Sequence, residues 1–303
     1  MSFLLNSFKY YLRQSKTTAP GQYSYLYQNL SNCVPELIQQ LQNLFMHYAD
    51  ESLLNFKIQP HRYEELNTRY AESMLANILK YDSRSLGYPR PVGHRLLGIC
   101  RDNAVLLCSI LRYKNIPARL RVGFVSYFIP GLYLDHVGVE YWHSKQQRWC
   151  LVDVRTSPLH RDYYKLKIDF DLLDVPSDRF IPAANAWHLC RTKQINPNRF
   201  GSRQHRGLWY VRNRLMQDLA VLNKKETLIW DFWGMMLNAS VPNPVVTDGQ
   251  LVILDELAAI LTNSCENLSA LTNFYLTQPQ LVIPKILTTL SPFGQEQQLA
   301  IAI

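Results

Sequence analysis

The chain has 303 residues, of which 47% are apolar and 18% charged. That balance supplies a sizeable core and excludes a globally disordered chain, and no apolar run is long enough to cross a bilayer. The formal net charge of +8 favours acidic partners in general, but the basic residues are spread out, with no zinc-finger spacing and no basic helix, so nucleic acid is not the expected partner.

The opening segment, MSFLLNSFKYYLRQSK, is too polar for a secretory signal, and the expectation is a soluble, cytoplasmic protein with no membrane contact. Six cysteines (Cys33, Cys100, Cys108, Cys150, Cys190 and Cys265) are scattered and form no C-x-x-C pair. They read as reduced thiols, most of them small buried apolar residues.

Residues 1–90 read as a helical N-terminal segment. Ser31 or Asn32 caps a helix with Pro35 in its first turn, and Leu37, Leu41, Leu44, Phe45 and Tyr48 follow at helical spacing. A second helix is predicted over Tyr63–Leu79. The stretch Gly87–Pro91 then breaks the helical pattern and marks a boundary.

Residues 91–180 read as a helix followed by strands. The helix covers 101–114, with Ala104, Leu107, Cys108 and Leu111 on one face, and it stops at Asn115-Ile116-Pro117. Asparagine tolerates the left-handed conformation that ends helices, and proline cannot continue one. Strands are predicted over Ala118–Phe128, His136–Trp142 and Arg148–Val154, the last two joined by the hairpin loop Ser144–Gln147. Residues 181–303 return to a mainly helical pattern, clearest over Leu215–Asn223 and Leu251–Leu261, with a loop at Asn238–Pro244. The class is α+β, a small antiparallel sheet between helical N- and C-terminal extensions.

One cysteine stands apart. Cys100 sits at the start of the helix near Arg101, where backbone N–H groups and the helix dipole favour a thiolate and can hold an oxyanion, and Gly98 lets the chain turn into that position. A loop centred between Lys145 and Gln146 sets Trp142 opposite Trp149, Gly138 opposite Asp153 and His136 opposite Arg155. His136 and Asp153 then become diagonal neighbours on one sheet face, about 7–8 Å apart. A register slip of one residue would put them on opposite faces. Asp135 is the rival acid, disfavoured because adjacent strand residues point to opposite faces. Asp102 reads as a cap of its own helix, Arg101 as an ion-pair partner, and Cys108 as core. His94, upstream of the thiol, is a minor candidate for an oxyanion donor.

Gly98-Ile99-Cys100-Arg101-Asp102, Ile116-Pro117-Ala118-Arg119, Asp135-His136, and Trp149 with Val152-Asp153 follow the order and spacing of the transglutaminase-like core, which they resemble. The resemblance implies a papain-like fold, a helix packed on a small antiparallel sheet, with Cys100 as nucleophile, His136 as base and Asp153 as orienting acid. It also implies thiol-dependent amide-bond chemistry that needs no metal or organic cofactor. The sequence departs from the family in having Asn115 before Ile-Pro-Ala-Arg, and Val137 and Gly138 after the histidine where an aromatic is common. Ala186–Arg191, Arg206–Trp209 and Leu219–Trp233 resemble bacterial proteins of unassigned activity that extend this core.

The expected reaction is hydrolysis of a protein or peptide amide through an acyl-thioester. Transfer to an amine is the second reading, and a non-catalytic binding module on the same fold is the third. Nucleic-acid binding through the Arg191–Lys225 region is a further alternative. Trp187, Trp209, Trp230 and Trp233 read most simply as core aromatics.

Overall fold

The computed structural model describes residues 2–240, 245–263 and 267–302. Cys265 and residues 241–244 of the expected Asn238–Pro244 loop lie outside the described residues. In chain order the elements are α1 (Ser2–Leu12), α2 (Val34–Gln42), β1 (Phe45–His47), α3 (Glu51–Leu54), α4 (Ala71–Tyr81), β2 (Leu96–Gly98) and α5 (Cys100–Tyr113). Then come β3 (Ala118–Val125), β4 (Tyr133–His143), β5 (Arg148–Val152), α6 (Pro158–Tyr163), β6 (Phe180–Pro182), α7 (Ala183–Arg191) and β7 (Phe200–Gly201). The last are α8 (Leu208–Leu222), β8 (Asp231–Phe232), α9 (Asp248–Asn263), α10 (Leu268–Thr277), β9 (Ile286–Thr289) and β10 (Gln297–Ala300). The architecture is α+β, as expected.

The elements group into two compact units, each assembled from separated stretches. One comprises residues 11–120 and 138–175, the other 1–10, 121–137 and 176–303.

The first unit is organised around α5, which is buried at every position from Arg101 to Arg112. A helix buried all round must satisfy its polar side chains locally. Tyr27 and Ser109 share a hydroxyl–hydroxyl hydrogen bond of 2.9 Å, and Gln14 donates to the Ser109 carbonyl. Arg112 donates to the Ala118 carbonyl and to Thr18 Oγ1. The helix ends as the sequence predicts, with Asn115 at φ 58°, in the left-handed region. β1 and β2 form a parallel pair with Phe45 opposite Leu96 and His47 opposite Gly98. β4 and β5 pair antiparallel with Trp142 opposite Trp149, the predicted register. Arg119 Nε donates to Glu140 at 2.6 Å, and the guanidinium lies 4.3 Å from the Trp149 ring centroid, so the buried cation has both an ion pair and an aromatic face.

The second unit has α8 as its buried helix, packed against α7, α9 and α10. Asp218 on α8, fully buried, accepts from Arg121 Nε and Nη2 and from the Val122 N–H at 2.8 Å, which ties β3 to the helix. β3 pairs antiparallel with β6, and the start of β4 pairs parallel with β7. Asp255 joins α9 to α7 by accepting from Trp187 Nε1 and Arg191.

Several expectations need correction. The helix expected to continue through Phe45 and Tyr48 stops at Gln42; its N-cap is Cys33, with Ser31 Oγ accepting the Cys33 N–H. Phe45 instead enters β1, held by a partner strand fifty residues away. The helix expected over Tyr63–Leu79 is a 3-10 helix (Pro60–Asn67) followed by α4, because Thr68 and Tyr70 adopt extended conformations. The three core strands begin or end differently: β3 stops at Val125, β4 starts at Tyr133 and β5 stops at Val152. The C-terminal part carries α7 to α10 and also an antiparallel sheet ordered β10-β9-β8. Residues Gly234–Ser240 form a 3-10 helix where part of the loop was expected. No helix among the described residues is long and apolar enough to cross a membrane.

Candidate active site

Cys100 is the first residue of α5 and is half-buried. Its position follows from the chain on either side. Ile99 is extended (φ −128°, ψ 178°), and its N–H is accepted by Asp102 Oδ2 at 2.9 Å. The Ile99 carbonyl accepts from the Asn103 N–H and from Asn103 Nδ2 at 3.1 Å. The carboxylate three residues into the helix thus reaches back over its first turn, the reciprocal half of a capping box. Arg101 Nη1 pairs with Asp102 Oδ1 at 3.1 Å, and both side chains are buried. Burial pushes the Asp102 carboxyl up, against the opposing pull of Arg101 and the Ile99 N–H. The structural roles expected of Asp102 and Arg101 are those observed.

Gly98 permits this arrangement by having no side chain. A Cβ there would come within 2.9 Å of Phe45 Cδ1 and 3.2 Å of Asp102 Oδ2. The strand that delivers Gly98 is held from outside by an ion pair that no motif flagged. Glu65 accepts from Arg62 Nε at 2.7 Å and Nη2 at 3.0 Å, from the Tyr81 hydroxyl, and from the Leu97 N–H at 2.7 Å. Arg62 also donates to the carbonyls of Gly93 and Arg95. One buried pair therefore fixes the segment leading to Cys100. Its sequence signal is an opposite-charge couple three residues apart, too common to single out.

Asp153 is buried and lies one residue past β5. Its N–H donates to the Leu172 carbonyl, and its Oδ1 accepts the N–H groups of Arg155 and Thr156 at 3.0 and 3.1 Å. The carboxylate closes a turn there, so the ladder ends at Val139 opposite Val152, one couple short of Gly138 and Asp153. Arg155 lies in the turn and is not a paired strand residue, which corrects the expectation that it sits opposite His136. Gln42 Nε2 supports the same turn by donating to the Val154 and Thr156 carbonyls. Arg155 Nη2 and His160 Nε2 both bond Asp50, each at 2.9 Å. Burial alone would raise the Asp50 carboxyl, but the His160 hydrogen bond and the charges of Arg155, His47 and His160 outweigh it and hold the group at about 2.

His136 is buried on β4, edge-to-face with Phe128 at 5.5 Å between ring centroids. Its neighbour Asp135, the rival acid, is engaged elsewhere. Asp135 Oδ2 accepts from the Tyr210 hydroxyl at 2.8 Å and pairs with Arg214 at 3.0 Å. Cys100 and Asp153 belong to the first compact unit, and His136 to the second, two residues before the chain returns to the first.

The other candidates resolve plainly. Cys108 is fully buried, as expected of core, and Cys150 and Cys190 are buried too. Trp187, Trp230 and Trp233 are buried, and Trp209 is half-buried. His94 is exposed. Within Arg191–Lys225, Arg191 pairs with Asp255, Arg214 with Asp135, and Lys224 donates to the Tyr10 carbonyl, so those charges serve the fold.

Residues 59–154 match the model of the transglutaminase-like superfamily, and Cys100, His136 and Asp153 all lie inside the matched stretch. The resemblance read from the short motifs is borne out over this segment, in a superfamily that typically includes cysteine-dependent enzymes. A solved structure named "Putative Cysteine Protease from Cytophaga hutchinsonii" is similar at 15% identity, with a TM-score of 0.35, covering 59% of this chain and 48% of that one. The chain thus spans about half the length of that protein, and a likeness of this size bears on no argument about activity. No curated protein matches the sequence.

Proposed function

We propose that this chain is a thiol-dependent amide-bond enzyme that hydrolyses a peptide or related amide through an acyl-thioester. The observation that supports this best is Cys100 as the first residue of a buried helix, inside the transglutaminase-like stretch. His136 and Asp153, in the same stretch, are the proposed base and orienting acid.

His136 takes the proton from Cys100 Sγ, and the thiolate attacks the amide carbonyl carbon. Backbone N–H groups at the start of α5 hold the resulting oxyanion. The imidazolium returns its proton to the leaving amine as the C–N bond breaks, leaving a thioester on Cys100. A water molecule, deprotonated by His136, attacks the thioester. The carboxylic acid departs and the thiol is restored. Asp153 orients the imidazole throughout. Water is the favoured acceptor because it is abundant and aminolysis needs a site that excludes it.

Iodoacetamide labelling tests the reading. Cys100 should react faster than Cys108, with a pH-dependent rate that His136→Ala removes. Equal rates at the two cysteines would instead support a binding module without turnover. Incubation with a peptide library followed by mass measurement of the adduct on Cys100 identifies the acyl donor. Release of that adduct by water or only by added amine separates hydrolase from transferase.

A further inference from the structure

A shallow, open cleft of about 590 Å³ lies between the C-terminal end of α4 and the segment leading into β2. Its walls include Lys80, Tyr81, Asp82, Arg84, Pro91 and His94, all within the first unit. The loop that shapes it is built, not slack. Arg90, almost fully buried, spends its guanidinium on backbone carbonyls: Nη1 donates to Ser85 and Tyr88, and Nη2 to Asp82 and Arg84. A buried cation gripped by four carbonyls holds a loop in one conformation, because any rearrangement strands the charge.

On that frame the exposed groups are mainly cationic. Arg84 donates from Nε and Nη2 to Asp82 and stays half-exposed, while Asp82 is half-buried beside it. The Arg84 guanidinium holds the Asp82 carboxyl well below the usual carboxylate range, so the pair is ionised throughout neutral pH. Lys80 adds an ammonium bonded to Asn77 Oδ1. One carboxylate thus faces two permanent cations and an exposed imidazole, His94.

We infer that this cleft is a subsite for a carboxylate side chain of an acidic peptide, which gives the amide-bond reaction proposed above a preference for acidic segments near the bond attacked. The inference rests on that reading for its link to catalysis, though binding itself does not. His94 lies six residues before Cys100, no more than about 22 Å of fully extended chain, which a short extended peptide spans. A single-stranded nucleic acid fits less well. Arg62 covers one face of the Tyr81 ring at 4.5 Å and Glu65 holds its hydroxyl, which leaves it a poor platform for stacked bases.

The test uses the full chain carrying Cys100→Ala and two fluorescein-labelled hexapeptides, one rich in glutamate and the other its glutamine isostere, followed by fluorescence anisotropy. At low salt the glutamate peptide should bind about tenfold tighter, a preference lost near 1 M salt. Lys80→Gln, which alters only a surface contact, should cut the preference about threefold, and Lys80→Gln with Arg84→Gln should abolish it. Equal binding of the two peptides, an undiminished preference in the double variant, or displacement of the glutamate peptide by poly(U) RNA at lower charge concentration than by unlabelled peptide would each overturn the inference. Failure of Cys100 to label in the wild-type chain would sink the enzymatic reading alone and leave this measurement standing.

Discussion

Glu65→Ala tests whether the segment carrying Cys100 is held from outside. The wild-type carboxylate makes four hydrogen bonds, two to Arg62, one to the Tyr81 hydroxyl and one to the Leu97 N–H. Its side chain is 12% exposed and that of Arg62 is 5%. Alanine removes the charge from a buried pair and leaves the Leu97 N–H without its acceptor, while Arg62 keeps the carbonyls of Gly93 and Arg95. Removing one member of a buried ion pair costs about 3–5 kcal/mol, and the two carbonyls that Arg62 retains argue for the low end, about 3, here. The urea midpoint should fall by about 1–2 M. Glu65→Gln, which retains an acceptor for Leu97 but not the charge, should cost about half as much. Iodoacetamide labelling in native buffer should change at Cys100 and not at buried Cys190. A Glu65→Ala protein within about 1 kcal/mol of wild type, a loss ordinary for any point mutant, would refute the reasoning.

Three further outcomes follow from the same structure. Asp50 is depressed from 3.8 to about 2, so its contribution is complete above pH 3.8 and drains away as pH falls through 2. The stability gap between wild type and Asp50→Asn should shrink by about 2 kcal/mol as pH falls from about 5 to below about 2, in urea titrations at each pH. Gly98→Ala drives a methyl against Phe45 and Asp102 and should cost about 1–3 kcal/mol by thermal unfolding. In the second unit, Asp218→Ala removes the buried acceptor of Arg121 and the Val122 N–H; a loss of about 3–5 kcal/mol is expected, and near-neutral urea unfolding would count against it.

What the sequence determined by itself is local and periodic. Asn115 and Pro117 end α5, because only a residue tolerant of positive φ closes that helix before a proline. The Ser144–Gln147 loop sets Trp142 opposite Trp149, because hairpin register follows from turn geometry and loop length. The motif around Cys100 marks a helix start, since Gly98 and the carboxylate of Asp102 encode the turn within five residues.

Tertiary structure decided whatever depends on partners distant in the chain. Phe45 has helical spacing from Leu41, yet it lies in a strand because Leu96 pairs with it. β8, β9 and β10 are two to four residues long, too short to carry a periodic signal, and exist through pairings as distant as Asp231 with Thr289. The anchoring of β2 by Arg62 and Glu65, and of the Asp153 turn by Gln42 and Arg155, is likewise silent in the sequence. A buried charge finds its partner only after the chain has closed loops that composition and spacing do not specify.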